Sequence, residues 1–377
     1  MHETDYALFD LRRGRPVCIR DSDGKKPENL ILLATVEGLR LQTLRRLLQF
    51  KRDFIRLAVT QHRAQVMGLF SGEQQKNLSL SLDDDITPDQ ILRLSSEVGN
   101  FNDRDKLDLR EASPEEIGGL ALARLGCLLP AVVSVPLDSD SIDKLDQFQD
   151  GGPILVVTTE QIKSLASHKR VEVSYISDGP VPLKDAEDAR FMFFREANGM
   201  LEHVAILIGD RDHWPHPVPV RIHSACLTGD LFGSLRCDCG EQLRESLRIF
   251  AEKGGGVVLY LAQEGRGIGL GNKLRAYTLQ QDGLDTVDAD CALGFGADER
   301  HYYSAVDMLR YLEIDRIQLL TNNPEKVRAM HDGGIKVVDR QPLYGTLNRH
   351  NLPYFKAKVN RAGHWLGELF SGAVPAK

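Results

Sequence analysis

Apolar positions in the first part of the chain form short continuous runs that predict buried strands. PVCI, LILLAT and FIRLAVT are such runs, and GLRLQTLRRLLQF, which precedes the third, repeats its leucines at the spacing of a helix. Together these runs predict strands of a sheet with a helix packed against it.

Two later helices are marked at their first residues. Thr87, followed by Pro88, starts one of them, and Ser113 starts the other, where Ser113 and Glu116 have the spacing of a capping box. The second helix is predicted to end before Pro130, and a further apolar strand follows it. This part of the chain is therefore predicted to combine a sheet with helices.

The pattern changes near residues 179–182, where the sequence reads GPVP. Before this point, residues 154–176 predict a strand, a helix and a strand, so the acidic segment 138–153 does not end the domain. After it, RFMFFREA and EHVAILIGD predict paired antiparallel strands. We therefore predict two domains, residues 1–178 and 179–377, of the α+β (mixed α/β) class, each a mixed sheet with packed helices.

The composition excludes several classes of protein. A formal net charge of −7 over 377 residues argues against a surface that coats nucleic acid, although local basic clusters can bind a phosphorylated small molecule. Apolar runs stay short of the roughly 20 residues of a membrane helix, and MHETDYALFD lacks the basic and apolar regions of a signal peptide. We expect a cytoplasmic protein that binds neither nucleic acid nor membrane.

Three of the six cysteines form the pattern C-x10-C-x-C at Cys226, Cys237 and Cys239. In the cytoplasm such a cluster indicates metal ligands rather than disulfides. Side chains two apart on an extended segment point the same way, so Cys237 and Cys239 can bind one ion, with Cys226 returning from the preceding loop. Three thiolates leave a fourth position on zinc for water, whose pKa the metal lowers. The alternative is a closed structural site with His223 as the fourth ligand.

The remaining cysteines, Cys18, Cys127 and Cys291, stand alone in the sequence. We interpret them as small buried hydrophobic residues.

A glycine-rich loop, Gly265–Gly271, follows an apolar strand and precedes a helix that contains Lys273 and Arg275. Such a loop lets the backbone approach a phosphate closely, although this one matches neither common nucleotide-binding motif. The loop alone is a weak indication, because glycine-rich turns are common.

The turn Thr321–Asn323 joins a predicted strand to a helix that starts at Pro324. Free N–H groups at that helix start, together with Lys326, can form an anion site; the alternative is an ordinary strand-to-helix junction. Asp298 and Arg300 precede another predicted helix, where an acid commonly serves only as a cap.

These motifs, in this order, resemble GTP cyclohydrolase II, the first enzyme of riboflavin synthesis, over residues 181–366. The core pattern of that family appears as RIHSACLTGDLFGSLRCDCG, and QEGRGIGL, NKLRAY, GLDTV, LGFGADER and LLTNNPEKV follow it in register. The resemblance implies a GTP cyclohydrolase II-like fold for the second domain and a homodimer. It also implies conversion of GTP to a 2,5-diamino-6-ribosylaminopyrimidinone 5′-phosphate, formate and pyrophosphate.

The resemblance further implies one zinc ion per subunit on the three clustered cysteines, and magnesium on the triphosphate. It makes Asp298 the proton acceptor and Arg300 the nucleophile on the α-phosphorus, and it puts Tyr277 beside the opened ring. We favour Arg300 as a phosphate ligand, because guanidinium is protonated at neutral pH. The residues implied at the GTP site are Arg221, Ile222, His223, Ser224, Gln242, Glu264, Gly265, Arg266, Thr286, Thr321 and Lys326.

One position departs from the family pattern. The glutamate that precedes the first cysteine in the family is Ala225 here. A carboxylate at this position could orient water or contact the substrate, so its loss bears on activity. Because the metal ligands, Asp298, Arg300 and Tyr277 are retained, we still expect catalysis.

The N-terminal segment from Leu11 to Leu39 resembles the start of 3,4-dihydroxy-2-butanone-4-phosphate synthase. The acidic metal-binding run of that family is interrupted here, between Asp21 and Asn29, by two lysines and a proline. A histidine of the family is also missing from residues 112–116, and a magnesium site needs clustered carboxylates. We therefore expect a degenerate, non-catalytic domain that provides support, dimer contacts or regulation.

Three alternatives stay open. The protein could be bifunctional and also make 3,4-dihydroxy-2-butanone 4-phosphate. It could instead be a catalytically weak regulatory homologue that binds GTP and keeps zinc for structure, which Ala225 favours. A zinc-ribbon protein that binds nucleic acid is the least favoured, because a fourth cysteine and a basic stripe are missing.

Overall fold

The computed structural model describes residues 2–22, 30–50, 54–69, 76–98, 108–138, 141, 145, 153–167, 171–281 and 283–366. Most of the interrupted acidic run and most of the acidic segment 138–153 lie outside these residues. The chain divides into two compact units, Met1–His168 with Gly271–Glu299, and Lys169–Leu270 with Arg300–Lys377. The predicted boundary after residue 178 falls inside a strand of the second unit, since pairing between strands, rather than local composition, decides the division.

The helices of the described chain are numbered in order. They are α1 (His2–Arg12), α2 (Leu41–Phe50), α3 (Gln61–Val66), α4 (Pro88–Ser96), α5 (Pro114–Leu125), α6 (Thr159–Ser167), α7 (Leu227–Asp230), α8 (Cys239–Glu252), α9 (Gly269–Gln281), α10 (Thr286–Ala292), α11 (Tyr303–Tyr311), α12 (Pro324–Asp332) and α13 (Leu352–Ala362). In this part of the chain, no helix combines the length and the apolar character needed to span a membrane.

The first unit is built on a mixed sheet. Its described strands are β1 (Val17–Arg20), β2 (Leu30–Thr35), β3 (Arg56–Val59), β4 (Leu78–Ser81), β5 (Leu109–Glu111), β6 (Ala131–Leu137) and β7 (Val156–Thr158). They lie in the order β5-β4-β3-β6-β2-β1-β7, and the neighbours are antiparallel except β1 and β7, which are parallel.

Both predicted helix starts are confirmed. Thr87 accepts a hydrogen bond from Gln90 N, Ser113 accepts one from Glu116 N, and the side chain at the third helical position bonds back in each case. Glu116 is fully buried and also accepts hydrogen bonds from the Ser79 and Ser134 hydroxyl groups, at 2.9 and 2.7 Å. This cap therefore ties α5 to the sheet as well as starting the helix.

The segment Gly271–Glu299, which comprises most of α9, all of α10 and the residues after it, packs within the first unit although it comes from the second half of the chain. Polar contacts between five pairs of described residues help to hold it to the first 168 residues. They are Asn272 with Cys127 O at 2.9 Å, Arg275 with Glu37 at 2.7 Å, Ala292 O with Arg63 at 2.9 Å, Gly294 O with Thr60 at 2.9 Å, and Glu299 with Arg124 at 2.7 Å.

The second unit has a mixed sheet of its own. Its strands are β8 (Val173–Pro180), β9 (Arg190–Glu196), β10 (Glu202–Ile208), β11 (Val218–Ser224), β12 (Gly256–Leu261), β13 (Arg316–Leu320) and β14 (Lys336–Gln341). They lie in the order β14-β13-β11-β12-β10-β9-β8, with parallel pairing from β14 to β12 and antiparallel pairing from β12 to β8.

Helices cover both faces of this second sheet. Phe250 of α8 packs in a cluster with Val258 of β12, whereas Met308 of α11 packs in another cluster with the adjacent Val257 and Leu259. Consecutive strand residues face opposite sides of a sheet, so β12 is buried on both sides. The two mixed sheets and their helices confirm the predicted mixed α/β class.

Candidate functional site

Motif residues of the second unit follow three neighbouring parallel strands. Cys226 comes after β11, Glu264 after β12 and Thr321 after β13, and β11 lies between the other two strands. In open sheets with parallel strands, ligands bind at the carboxyl ends of the strands. The sheet therefore brings to one edge three motifs that are far apart in sequence.

The three clustered cysteines form a compact set of sulfur atoms. The thiol groups of Cys226, Cys237 and Cys239 all lie within 4.8 Å of one another, and the first two sulfur atoms are 3.6 Å apart. Zinc–sulfur bonds of about 2.3 Å in a tetrahedron separate sulfur atoms by about 3.8 Å, so the cluster fits a zinc ion. Neither ring nitrogen of His223 belongs to the cluster, and its Nε2 atom bonds to Asp230 at 3.1 Å.

The chemistry of these thiols also fits a metal. The hydrogen bond with Cys226 is the largest cause that raises the pKa of Cys237 to about 11, and burial adds to it. The neighbouring thiols and burial raise the pKa of Cys239 as well. Such crowded thiols ionise together when a cation offsets their charge, as a metal does on binding.

Two glycines allow the cysteine-bearing segments to approach each other. A Cβ atom on Gly229 of α7 would lie 2.7 Å from Cys237 Sγ and 3.1 Å from Cys226 Sγ. A Cβ atom on Gly240 of α8 would lie 2.2 Å from the carbonyl oxygen of Gly229. The short distance between the two helices, and with it the sulfur cluster, therefore requires glycine at both positions.

Asp238, between two of the cysteines, is buried and holds the loop in place. Its Oδ1 atom lies 3.2 Å from Lys358 Nζ of α13, and its Oδ2 atom accepts a hydrogen bond from Gln242 Nε2 at 2.5 Å. Gln242 Oε1 in turn accepts one from Arg221 at 2.6 Å. A continuous polar network thus runs from the cysteine loop to β11.

Cations surround one region of the second unit. Burial is the largest cause that lowers the pKa of His364 to about 2, followed by the charges of Lys358, Arg300, Lys326 and Arg266. Four positive side chains act on this one imidazole, and such a concentration of cations favours a bound anion. This region suits a polyphosphate.

The loop after β12 forms a 3-10 turn over Glu264–Gly267. Glu264 Oε2 accepts a hydrogen bond from Leu227 N at 2.6 Å, which fixes the start of α7 just beyond the first cysteine. Gly265 and Arg266 both have φ of 62°, a left-handed conformation that is strained for arginine. Such strain commonly marks ligand-binding loops.

Comparison with known proteins decides the family. The model of the family described as GTP cyclohydrolase II matches residues 175–342. A GTP cyclohydrolase-2 from Azospirillum brasilense is 39% identical over 368 residues, which is 97% of this chain and 94% of the relative. This chain belongs to the GTP cyclohydrolase II family of hydrolases. A GTP cyclohydrolase-2 from Xylella fastidiosa (strain 9a5c) is 40% identical over 361 residues, with 96% and 86% coverage.

Some relatives match only about half of the chain. A GTP cyclohydrolase-2 from Pseudomonas aeruginosa (strain LESB58) is 48% identical over 202 residues, which is 54% of this chain and 98% of the relative. Among solved structures, a two-domain 3,4-dihydroxy-2-butanone 4-phosphate synthase from A. baumannii covers 92% of this chain and 99% of its own. Its 14% identity and TM-score of 0.32 make that likeness too weak to characterise the first unit.

The residues of β11 that belong to the GTP cyclohydrolase II motif differ in whether their side chains can form a hydrogen bond with a ligand. Arg221 Nε, His223 Nδ1 and Ser224 Oγ are buried and have no hydrogen-bond partner among the described residues. Ile222, by contrast, has its side chain in the core, and its carbonyl accepts a hydrogen bond from Lys326 Nζ at 2.8 Å. Only the polar members of this motif therefore have side chains that can bind a ligand.

Three residues implied by the GTP cyclohydrolase II resemblance, Tyr277, Thr286 and Asp298, lie in the first unit. Tyr277 is half-buried on α9, and Thr286 is the first residue of α10, capped by Asp285. Asp298 does not cap the next helix, because α11 begins at Tyr303 without a side-chain cap. The interpretation of Asp298 as a helix cap is therefore wrong.

The sequence reasoning missed three residues that shape this site. Asp230, Lys358 and His364 have no typical spacing to the cysteines, and the last two come from α13 and the residues after it. Lys358 was recognisable only as one of many lysines. The signal that was available for Asp230 was its place in CLTGD, inside the strongest motif of the chain.

Proposed function

We propose that this chain hydrolyses GTP to 2,5-diamino-6-(5-phospho-ribosylamino)pyrimidin-4(3H)-one, formate and pyrophosphate, the first step of riboflavin biosynthesis. The observation that carries the proposal is the cluster of three thiols within 4.8 Å, together with buried polar atoms of β11 that lack partners among the described residues. A cluster with three ligands leaves a coordination position open, as catalytic zinc sites do.

Cys226, Cys237 and Cys239 would hold one zinc ion per subunit. This ion supplies the Lewis acidity that makes water nucleophilic near neutral pH. The carbon between the two ring nitrogens of the imidazole part of guanine is electron-poor and suited to that attack. Gln242 and Asp238 keep the cysteine loop in place through the network described above.

The triphosphate would lie with its magnesium ion against the cations near His364. Lys326, Arg266 and Arg300 would offset its negative charge, which suits Arg300 as a phosphate ligand better than as a nucleophile. The N–H groups at the start of α12, which follows Thr321, provide a further anion-binding element. Glu264 and Gly265 complete the loop beside it.

The roles of Tyr277, Thr286 and Asp298 rest on the motifs that contain them. We assign Asp298 as the proton acceptor, Tyr277 as an aid to loss of the formyl group, and Thr286 as a GTP ligand. The first unit is proposed to be a degenerate, non-catalytic synthase-like domain. Relatives that match nearly the whole chain carry the name GTP cyclohydrolase-2 alone, which supports this reading. We further propose a cytoplasmic homodimer.

Formate release from GTP tests the proposal. The wild type with zinc should release formate and pyrophosphate, and Cys237→Ser should release neither. Cys291→Ser is the matched control, because it makes the same substitution outside the cluster and should keep both products.

Two other outcomes would favour the alternatives. If the wild type binds zinc and GTP but releases no formate, the chain is a regulatory homologue, which the loss of the carboxylate at Ala225 would explain. If it converts ribulose 5-phosphate to 3,4-dihydroxy-2-butanone 4-phosphate, it is bifunctional.

A further inference from the structure

Asp230 is a carboxylate at the end of α7 whose side chain is only 8% exposed. Three groups donate to it: Cys226 N and the Tyr260 hydroxyl, each at 2.9 Å from Oδ2, and His223 Nε2, at 3.1 Å from Oδ1 and 3.3 Å from Oδ2. The His223 ring also stacks on Tyr260, with 5.6 Å between ring centroids and 16° between planes. Asp230 and Tyr260 together fix both the position and the orientation of the imidazole.

The hydrogen bond to Asp230 also fixes the tautomer of His223. The carboxylate that accepts from Cys226 N–H and from the Tyr260 hydroxyl also accepts from the imidazole, so the imidazole proton lies on Nε2. Burial is the largest cause that lowers the pKa of His223, so the ring carries one proton. Nδ1 therefore presents a lone pair.

That lone pair is buried and faces no donor in the described part of the chain. A buried acceptor without a partner costs about 1–3 kcal/mol, so a site that retains one is suited to a ligand that donates to it. The phosphates of a nucleotide carry only acceptors near neutral pH and would be repelled by the lone pair. Guanine N–H groups and ribose hydroxyl groups are donors.

We propose that Asp230 is a positioning residue that holds His223 as the Nε2–H tautomer, so that Nδ1 accepts a hydrogen bond from the base or ribose of the bound nucleotide. The proposal rests on the proposed function only in taking GTP as the ligand. It assigns His223 to the guanosine part of the site, whereas the cations near His364 serve the phosphates.

Asp230→Asn is the informative change, because it should invert the tautomer without changing the shape of the side chain. Cys226 N–H and the Tyr260 hydroxyl bond to Oδ2, which also lies 3.3 Å from His223 Nε2, whereas Oδ1 bonds among the described residues only to His223 Nε2, at the shorter distance of 3.1 Å. The new amide nitrogen is thus expected at the Oδ1 position, where it donates to Nε2 and moves the ring proton to Nδ1. Tyr260→Phe is the matched control, because it removes one bond to Asp230 but leaves the tautomer unchanged.

The first measurement is the nitrogen-15 spectrum of full-length, zinc-loaded protein with labelled histidine. The His223 signals are identified by their loss in His223→Leu. We expect a bare Nδ1 in the wild type and in Tyr260→Phe, and a protonated Nδ1 in Asp230→Asn. A protonated Nδ1 in the wild type would overturn the proposal without any need for a variant.

The second measurement separates the two parts of the nucleotide. Asp230→Asn should raise KM for GTP and weaken inhibition by GMP about ten- to hundredfold, with kcat changed little, because the lost contact binds the substrate and the transition state alike. Inhibition by pyrophosphate and the zinc content should stay at the wild-type level. His223→Leu should give the same split with every bond of Asp230 to Cys226 and Tyr260 kept.

If Asp230→Asn weakens inhibition by GMP and by pyrophosphate equally, the assignment of His223 to the guanosine part of the site is refuted. Unchanged GMP binding in His223→Leu would refute it as well. If Asp230→Asn loses zinc and His223→Leu keeps normal GMP binding, Asp230 acts only on the metal loop. A wild type that binds GMP but releases no formate would contradict the proposed function and leave these binding results valid.

Discussion

Arg63→Met is expected to destabilise the first unit by about 3 kcal/mol. The Arg63 side chain is 1% exposed, and its guanidinium donates to the carbonyl oxygens of Leu94 at 2.7 Å, Glu97 at 2.5 Å and Ala292 at 2.9 Å. It therefore joins α3 to the end of α4 and to the end of α10. Methionine fills similar space but donates nothing, so three acceptors lose their partner.

The magnitude follows from two opposing effects. One of these contacts is buried and two are partly buried, and at about 2 kcal/mol for each orphaned carbonyl the three together cost about 6 kcal/mol. Against this, burial is the largest cause that lowers the pKa of Arg63 to about 10 from its ordinary 12.5, and the variant no longer buries a charge. That change in pKa corresponds to about 3 kcal/mol regained. The net loss is thus about 3 kcal/mol.

Urea unfolding followed by two signals tests this value. Trp214 and Trp365 both lie in the second unit, so tryptophan fluorescence follows that unit, whereas far-ultraviolet circular dichroism follows both. In Arg63→Met the lower stability of the first unit should shift part of the circular dichroism transition to lower urea concentration and leave the midpoint of the fluorescence transition unchanged. Arg93→Met is the control, since the Arg93 side chain is 71% exposed and its pairing with Glu97 should be worth less than about 0.5 kcal/mol.

A loss below about 1 kcal/mol in Arg63→Met would refute the reasoning, because it would mean that the three carbonyls find other partners or are less buried than their contacts imply. An equal shift of the fluorescence midpoint would also count against it.

Three further changes have clear expectations. Burial raises the pKa of Cys18 to about 12, so iodoacetamide at pH 8 should label this thiol in urea but not in the folded protein. Mass spectrometry measures the labelling, and labelling in both conditions would contradict the prediction. Burial lowers the pKa of His364 from 6.5 to about 2, so as the pH falls below 6.5 the unfolded chain binds a proton that the folded chain does not, and the folded state loses stability. His364→Gln removes this effect and should move acid unfolding, followed by circular dichroism, to lower pH. Gly240→Ala should lower the zinc content measured with a chromophoric chelator, because its Cβ atom would lie 2.2 Å from Gly229 O. Full zinc occupancy in this variant would show that α7 and α8 can separate without loss of the metal site.

Local features of the fold could be read from the sequence. The helix starts at Thr87 and Ser113 depend on residues three positions apart, so their spacing was sufficient to find them. The three cysteines were also identifiable, because their spacing reflects the ligand requirements of a metal. These are interactions between near neighbours in the chain.

Contacts between distant residues were not accessible in the same way. Asp230, Lys358 and His364 gain their roles from strands and helices that the fold brings beside the cysteine loop. The pairing of β8 with β9, and the packing of Gly271–Glu299 within the first unit, likewise depend on tertiary contacts that outweigh sequence proximity. A resemblance to a family supplied some of this information, but only for residues within shared motifs.

The first unit is made of two separate segments of the chain, and this has a consequence for biosynthesis. Arg63 and its acceptor Ala292 are 229 residues apart. At about 5–20 residues per second, the ribosome needs roughly 10–45 s to add the acceptor after the arginine has been made. During that interval the nascent first unit holds a guanidinium that lacks one of its three native acceptors and a threonine hydroxyl whose acceptor, Gly294 O, has not yet been made. A fragment that stops at residue 178 would keep this incomplete state permanently, so exposure to chaperones and proteases should be greatest for partial chains that end before Gly294.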